Sequence, residues 1–200
     1  KLLIDDREKA VTAHAFELNA ISLEILRIEH GGDYVVTHPT SDGTIKVIAI
    51  IERKSLEDFA ASIKDGRTAN IEKLLRFRAQ TGCRILYLIE GRLDIKPDAE
   101  VAHIPWRNIE SAIFHLIVRD GICIMRTRDT LDTAQQLARF VKSCDTLAEG
   151  NDHVVDMATS ENLPVVTLGG QDLTTLMKER RAKPAHETVR EMWGKMPGIS

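Results

Sequence analysis

A run of five apolar residues at 47–51 (VIAII) constrains the fold of this 200-residue chain more than any other feature. A strand that is apolar at every position must be covered on both faces, so it belongs in the middle of a sheet that has helices on either side. The run ends abruptly in three charged residues, Glu52, Arg53 and Lys54. We therefore expect an α/β protein with a charged cluster at one end of its central strand.

Strand and helix signals alternate around this run. Turn residues at 41–43 separate two β-rich runs, so residues 34–37 and 44–53 are expected to form an antiparallel hairpin. Apolar periodicity predicts further strands at 2–5, 21–28, 84–89 and 122–125, and helices at 10–20, 55–63, 71–80, 106–119 and 131–147. These elements predict one α/β domain over residues 1–148.

The amino-acid composition of the chain changes after residue 148. Residues 149–162 contain four acidic residues and no Lys or Arg, which is typical of a linker or a loosely held segment. We expect residues 149–184 to form a linker with a short helix, and residues 185–200 to begin a further helical module. The net charge is −3, so any binding to nucleic acid would use a local basic patch.

The cysteines and the opening residues bear on the cellular compartment. The three cysteines are odd in number and form no Cys-x-x-Cys pair, which favours reduced thiols inside a cell. No charged-then-apolar leader opens the chain, and no apolar stretch approaches the roughly 18 residues of a membrane span. We expect an intracellular protein without a membrane partner: nuclear in a eukaryote, or in the cytoplasm or nucleoid of a prokaryotic or viral system.

The charged end of the central strand suggests a specific chemistry. Residues i and i+2 of a strand share a face, so the Glu52 carboxylate and the Lys54 ammonium are expected to point the same way. Asp33 begins the partner strand. Hairpin geometry could bring it within ~5–8 Å of Glu52, the range of adjacent or diagonal cross-strand neighbours. Two carboxylates that hold Mg²⁺ (or Mn²⁺), beside a lysine, are what metal-assisted phosphodiester cleavage requires. Asp5, at the end of the first strand, is a third candidate ligand.

Each of these residues also has a structural explanation. Taken alone, Glu52 and Lys54 are typical of a solvated ion pair, and Asp33 after two glycines is typical of a turn. Asp58 has the capping-box spacing from Ser55 at a helix start.

The other charged residues near the proposed site are equally open to two explanations. Arg7 and Glu8 are also suited to pair with each other in a loop. A basic series follows the central strand, either as a solvated helix face or as a surface for DNA phosphates: Arg67, Lys73, Arg76 and Arg78.

Four separated motifs together resemble the XPF/MUS family of structure-specific endonucleases. They are D-x-R-E at 5–8, G-D-Y at 32–34, E-R-K-x-x-x-D at 52–58 and D-G-R at 65–67. All four are complete and in order, and the resemblance covers about residues 1–148. It implies a restriction-endonuclease-like fold, in which a central mixed sheet is flanked by helices and a divalent metal lies at one edge, followed by a C-terminal helical extension.

The resemblance also implies roles for individual residues. Asp33 and Glu52 would bind the metal with Asp5 completing the cluster, and Lys54 would act on the attacking water. Because Arg53 faces away from Glu52 in a regular strand, we expect it to hold the scaffold of the site. The implied catalytic residues are Asp5, Arg7, Glu8, Asp33, Glu52, Arg53, Lys54 and Asp58, and the DNA-binding residues are Arg67, Lys73, Arg76 and Arg78.

The activity that the resemblance implies is Mg²⁺- or Mn²⁺-dependent cleavage of branched DNA, such as 3′ flaps, forks and nicked or intact junctions, in repair or recombination. Residues 185–200 look like the start of a helix-hairpin-helix module. Two alternatives remain. One is a non-catalytic DNA-binding or scaffold subunit, and the other is a sequence-specific restriction-type nuclease.

A dimer is expected as well, either a homodimer or a heterodimer with a related nuclease subunit. The helices at 106–119 and 131–147 carry more large apolar residues than one sheet face covers, and such a wide stripe often marks an interface. Both segments are also suited to be ordinary core helices.

Overall fold

The structure is a computed structural model that describes residues 1–29, 31–40, 42–65 and 68–150. Arg67, the expected helix-hairpin-helix start at 185–200 and nearly all of the expected linker at 149–184 lie outside these residues. The strands are β1 (Leu2–Asp5), β2 (Leu23–Leu26), β3 (Tyr34–Pro39), β4 (Ile45–Ser55), β5 (Arg84–Glu90), β6 (Glu100–Val101), β7 (Ile104–Pro105) and β8 (Cys123–Thr127).

Six of these strands form one mixed sheet in the order β2-β1-β3-β4-β5-β8. β3 runs antiparallel to both β1 and β4, whereas β2 pairs parallel with β1 and β5 pairs parallel with β4 and β8. The expected hairpin is therefore present as β3 and β4, with Tyr34 opposite Ile51. The prediction of a central mixed sheet is confirmed.

Helices cover both faces of this sheet. One layer contains α3 (Leu56–Asp65), α4 (Thr68–Thr81) and α5 (Trp106–Val118), and the other contains α1 (Lys9–Thr12), α2 (Ala15–Leu18) and α6 (Thr130–Gly150). Each layer has its own apolar core, because alternate strand residues point to opposite faces. None of the helices in the described ranges is both long and apolar enough to cross a bilayer.

The apolar run in β4 supplies both cores. Ile50 packs with the core of α3, α4 and α5, while Ala49 and Ile51 pack with the core of α1, α2 and α6, and all three are fully buried. Burial of each isoleucine contributes roughly 1.5–3 kcal/mol, so the strand is firmly fixed. The alternation continues past the run, so Glu52 follows the side of Ile50 and Arg53 follows the side of Ile51.

Three local predictions differ from the structure. The helix expected at 10–20 is two short helices, because His14 leaves the helical region at φ −86° and ψ 50°. The β6–β7 hairpin was not predicted, since its turn residues Ala102 and His103 adopt positive φ values of 49° and 60° without the Gly or Asn that signals such a turn. Finally, α6 continues to Gly150, two residues into the segment expected to be a linker.

Candidate active site

Close backbone contact brings Asp33 beside β4. Gly32 has a φ of +66°, and a Cβ at this position would lie 2.7 Å from the carbonyl oxygen of Ile51, so only glycine fits. The Asp33 N–H donates to that oxygen at 2.8 Å, and Asp33 Oδ2 accepts a 2.8 Å hydrogen bond from the Arg53 N–H. These two bonds fix the Asp33 carboxylate next to Glu52.

Glu52 is buried against the start of α4. Its Oε1 accepts a hydrogen bond from Nδ2 of Asn70 at 2.5 Å, and only 9% of the residue is exposed. Burial, together with the nearby Asp33 charge, raises the pKa of Glu52 to about 7. Burial also raises the pKa of Asp33 to about 6, although the Arg53 N–H bond opposes the shift. The two carboxylates therefore share a site that favours a proton or a cation between them.

A cleft of about 610 Å³ opens at the end of β4. It is lined by Glu8, Arg53, Lys54, Ser55, Asp58, Ala61 and Ser62. Lys54 lies on the Glu52 side of the strand, and its charge partly offsets the raised pKa of Glu52. Ser55 Oγ accepts a 3.0 Å hydrogen bond from the Asp58 N–H, as expected for a helix cap, and Asp58 is exposed at the cleft.

On the opposite side of β4, Arg53 is held by two carboxylates. Its Nε and Nη2 donate to Glu90 at 3.0 and 2.6 Å, and its Nη1 donates to Glu8 at 3.2 Å. The Tyr34 hydroxyl donates a hydrogen bond to Glu8 at 2.5 Å, and the Thr133 hydroxyl donates one to Glu90 at 2.6 Å. All three charged side chains are less than a fifth exposed. Arg53 thus links β4 directly to β5 and to the start of α1, and Tyr34 and Thr133 extend the network to β3 and α6.

Asp5 is differently placed from the expected third metal ligand. Its Oδ1 accepts bonds from the Arg7 N–H at 2.9 Å and Arg7 Nε at 2.6 Å, and its Oδ2 accepts from Arg7 Nη2 at 3.1 Å and the Ile28 N–H at 2.9 Å. Although burial opposes it, these bonds lower the pKa of Asp5 below its usual value. Both oxygens are occupied, so we assign Asp5 to positioning Arg7 rather than to metal binding.

The expected DNA-binding residues of α4 divide between two sides of the helix. Lys73 and Arg76 are exposed three residues apart on one face, where Arg76 forms a 3.3 Å pair with Glu72. Arg78 lies on another side and donates to the carbonyl oxygens of Asp120 and Gly121 at 3.1 and 3.2 Å, just beyond the end of α5. These bonds give Arg78 a structural role, and we expect that role rather than a DNA contact to dominate.

Sequence reasoning missed two side chains that complete the site. Glu90 ends β5, which is parallel to β4, and carboxyl ends of parallel strands meet at one edge, so that position carried a usable signal. No comparable signal in the sequence marked Asn70, because an Asn in the first turn of a helix is common for reasons unrelated to a functional site.

The carboxylate pair fits a magnesium-like ion. Within the described residues, no group of three or more His, Cys, Asp or Glu side chains is arranged to hold an ion. Mg²⁺ needs no such cage, since it usually takes one or two carboxylates and completes its coordination with water and substrate phosphates. Asp33 and Glu52, hard oxygen donors that repel each other until a cation arrives, match that donor set.

A mixed sheet with a carboxylate pair and a lysine at the end of its central strand is the arrangement expected of a metal-dependent nuclease domain. The family model described as "ERCC4 domain" matches residues 4–140. The chain belongs to the ERCC4 domain family, which confirms the resemblance to the XPF/MUS nucleases.

Individual relatives agree with this assignment. The ERCC4 domain-containing protein EP364R of African swine fever virus (strain Badajoz 1971 Vero-adapted) is 36% identical over 118 residues, which are 59% of this chain and 31% of that protein. The crossover junction endonuclease MUS81 of Eremothecium gossypii is 32% identical over 145 residues, which are 68% of this chain and 23% of that protein. The chain thus spans less than a third of the length of these curated relatives.

Solved structures show the same fold. XPF from Aeropyrum pernix superposes with a TM-score of 0.55 at 22% sequence identity, covering 78% of this chain and 72% of that one. The same protein in complex with DNA gives a TM-score of 0.50 at 22% identity, covering 72% of this chain and 64% of that one.

Proposed function

We propose that this chain is a Mg²⁺- or Mn²⁺-dependent endonuclease that cuts branched DNA. The observation that carries the proposal is the pairing of half-buried Asp33 with buried Glu52, beside Lys54, which lines an open cleft. Asp33 and Glu52 would hold the ion, which when bound supplies charge stabilisation at the phosphate and an activated water.

The protein's own groups would do the remaining work. Lys54, on the same face as Glu52, would orient the attacking water and hold negative charge that develops on the phosphate. Asp58 and Glu8 line the same cleft. Arg53, clamped by Glu8 and Glu90, would keep the strand end rigid so that the two carboxylates stay in place.

Branched DNA is the substrate class that the relatives support. The Eremothecium relative is named a crossover junction endonuclease, a Rattus norvegicus relative is named a structure-specific endonuclease subunit, and the Aeropyrum protein has been solved with DNA. Lys73 and Arg76 would contact phosphates from α4, whose first turn touches Glu52. We extend to this chain the cleavage of 3′ flaps, forks and nicked or intact junctions, in DNA repair or recombination.

We also propose that the domain dimerises through α5, as a homodimer or with a related nuclease subunit. Phe114, Ile117 and Val118 are 59%, 46% and 85% exposed on that helix. In α6, by contrast, Leu137 and Val141 are fully buried, so its apolar stripe is used by the core. Light scattering tests this proposal. Phe114→Glu should disrupt the dimer, and Phe16→Glu, at an exposed position on α2, is the control that should not. A wild-type chain that is monomeric at tens of micromolar contradicts it.

Cleavage assays test the activity itself. The purified chain is incubated with Mg²⁺, Mn²⁺ or EDTA and with labelled 3′ flaps, forks, nicked and intact four-way junctions and plain duplex. We expect ion-dependent cuts in branched substrates and little cutting of plain duplex. A chain that binds these substrates but cuts none of them in either ion contradicts the proposal and favours the scaffold alternative.

A further inference from the structure

Asn70 touches the site directly, although no motif in the sequence includes it. It is the third residue of α4, and its Nδ2 donates to Glu52 Oε1 at 2.5 Å. The helix is anchored to the sheet by Leu74 and Phe77, one and two turns further on, which are 1% and 5% exposed. The amide of Asn70 therefore reaches Glu52 from a rigid support.

The carbonyl oxygen of the same amide is in an unusual environment. Asn70 Oδ1 is buried and has no hydrogen-bond partner within the described residues. A buried acceptor left without a donor costs about 1–3 kcal/mol, and such groups in folded proteins call for an explanation such as a bound water or ion. An amide that served only to dock α4 would gain nothing from this arrangement.

We propose that Asn70 is a positioning residue that holds the Glu52 carboxylate in its metal-binding orientation. Its N–H fixes Oε1, which leaves Oε2 for the cation and keeps Glu52 from turning away from the like-charged Asp33. The free Oδ1 remains as an acceptor for water beside the ion. The inference rests on the proposed function, because it takes Asp33 and Glu52 as the metal ligands.

Two substitutions and a matched control separate this role from a structural one. Asn70→Ala removes the donor, and Asn70→Gln restores an amide on a longer side chain. Asn108→Ala is the control, since Asn108 is the third residue of α5 and is exposed. The measurements are Mn²⁺ binding by calorimetry or electron paramagnetic resonance, melting temperature without metal, and cleavage of a 3′ flap.

We expect Asn70→Ala to bind Mn²⁺ about 10–100-fold more weakly, the usual effect of losing a hydrogen bond to a metal ligand. Asn70→Gln should recover part of that loss, and Asn108→Ala should match wild type. A structural role alone would instead lower the melting temperature and leave Mn²⁺ affinity unchanged. If Asn70→Ala does not fold, Asn70→Leu keeps a similar volume without a donor and should show the same loss of affinity.

The two proposals fail in distinguishable ways. A wild-type chain that binds no Mn²⁺ overturns the proposed metal site and this inference with it. A wild-type chain that binds Mn²⁺, with a folded Asn70→Ala or Asn70→Leu variant of equal affinity, overturns the role of Asn70 alone.

Discussion

Glu52 and Arg53 are neighbours in β4, yet their side chains meet opposite surroundings. Arg53 enters a cluster in which every charge has a partner, Glu8 on one side and Glu90 on the other. Glu52 lies near the half-buried acid Asp33, and the pKa values of both carboxyls are raised, first by burial. On one face of the strand every charge is paired, whereas on the other two carboxylates lie near the ammonium of Lys54.

This difference separates scaffold from site. Removing one partner of a buried ion pair leaves an uncompensated charge, so the fold depends on every member of the paired face. Crowding like charges costs stability, so the acidic face weakens the fold. An arrangement that lowers stability persists when a ligand uses it, and a divalent cation supplies the charge that is missing here. Substitutions on the two faces should therefore act in opposite directions on stability.

The largest stability effect is expected on the paired face. Arg53→Ala leaves Glu8 and Glu90 largely buried without their cation, which should cost about 3–5 kcal/mol and lower the melting temperature by roughly 10 °C. Arg76→Ala is the control, because its pair with Glu72 is exposed and should be worth less than about 0.5 kcal/mol. Thermal and urea unfolding measure both. Equal stability losses in the two variants would contradict the comparison.

On the acidic face, removing negative charge should raise the stability of the fold instead of lowering it, and by a smaller amount. Burial in the folded chain raises the pKa of Asp33 from its ordinary 3.8 to about 6 and the pKa of Glu52 from its ordinary 4.5 to about 7. Between these values the folded chain binds more protons, so the free energy of unfolding falls as pH rises from 4 to 7. The metal-free chain should therefore melt several degrees lower at pH 8 than at pH 5.

Two conditions sharpen this pH prediction. Asp33→Asn should melt higher than wild type at pH 8 and show a flatter pH profile, because one of the repelling charges is gone. Saturating Mn²⁺ should remove most of the loss in the wild-type chain. Parallel pH profiles for wild type and Asp33→Asn would mean that the two carboxylates do not interact as described.

The smallest expected effect is on DNA binding, and it distinguishes two arginines of α4. Arg76→Ala should weaken binding to branched DNA modestly and reduce the slope of log K against log salt by about 1, as for the loss of one phosphate contact. Arg78→Ala should leave the slope unchanged and lower stability instead, because Arg78 binds the backbone after α5. Fluorescence anisotropy at several salt concentrations distinguishes them. A reduced slope for Arg78→Ala would return that residue to the DNA-binding surface.

Patterns local to one strand or turn were sufficient for much of this structure. The apolar run in β4 predicted a strand buried on both faces, the turn residues predicted the β3–β4 hairpin, and alternation alone predicted that Arg53 turns away from Glu52. Each depends on neighbours in sequence or on the fixed period of a strand. The four motifs added the family, which the match over residues 4–140 confirms.

What could not be predicted depends on partners that are distant in sequence. Glu90 lies 37 residues from Arg53, and Asn70 lies 18 residues from Glu52. Asp5 ends a strand and is therefore a reasonable ligand by sequence, but Arg7 and Ile28 donate to both of its oxygens. Which oxygen of a carboxylate is free is set by tertiary packing, and no spacing rule contains that information.

Cleavage of a labelled 3′ flap by Glu52→Gln tests the central claim most directly, with Asp33→Asn and Lys54→Ala alongside and Glu57→Gln, exposed on α3, as the control. Replacing either of the two carboxylates proposed to bind the metal should reduce the rate by about 10³-fold or more, while the melting temperature stays the same or rises. Lys54→Ala should lose cleavage but keep Mn²⁺ binding, and Glu57→Gln should cut normally. A Glu52→Gln protein that cuts at close to the wild-type rate would contradict the assignment of this face as the active site.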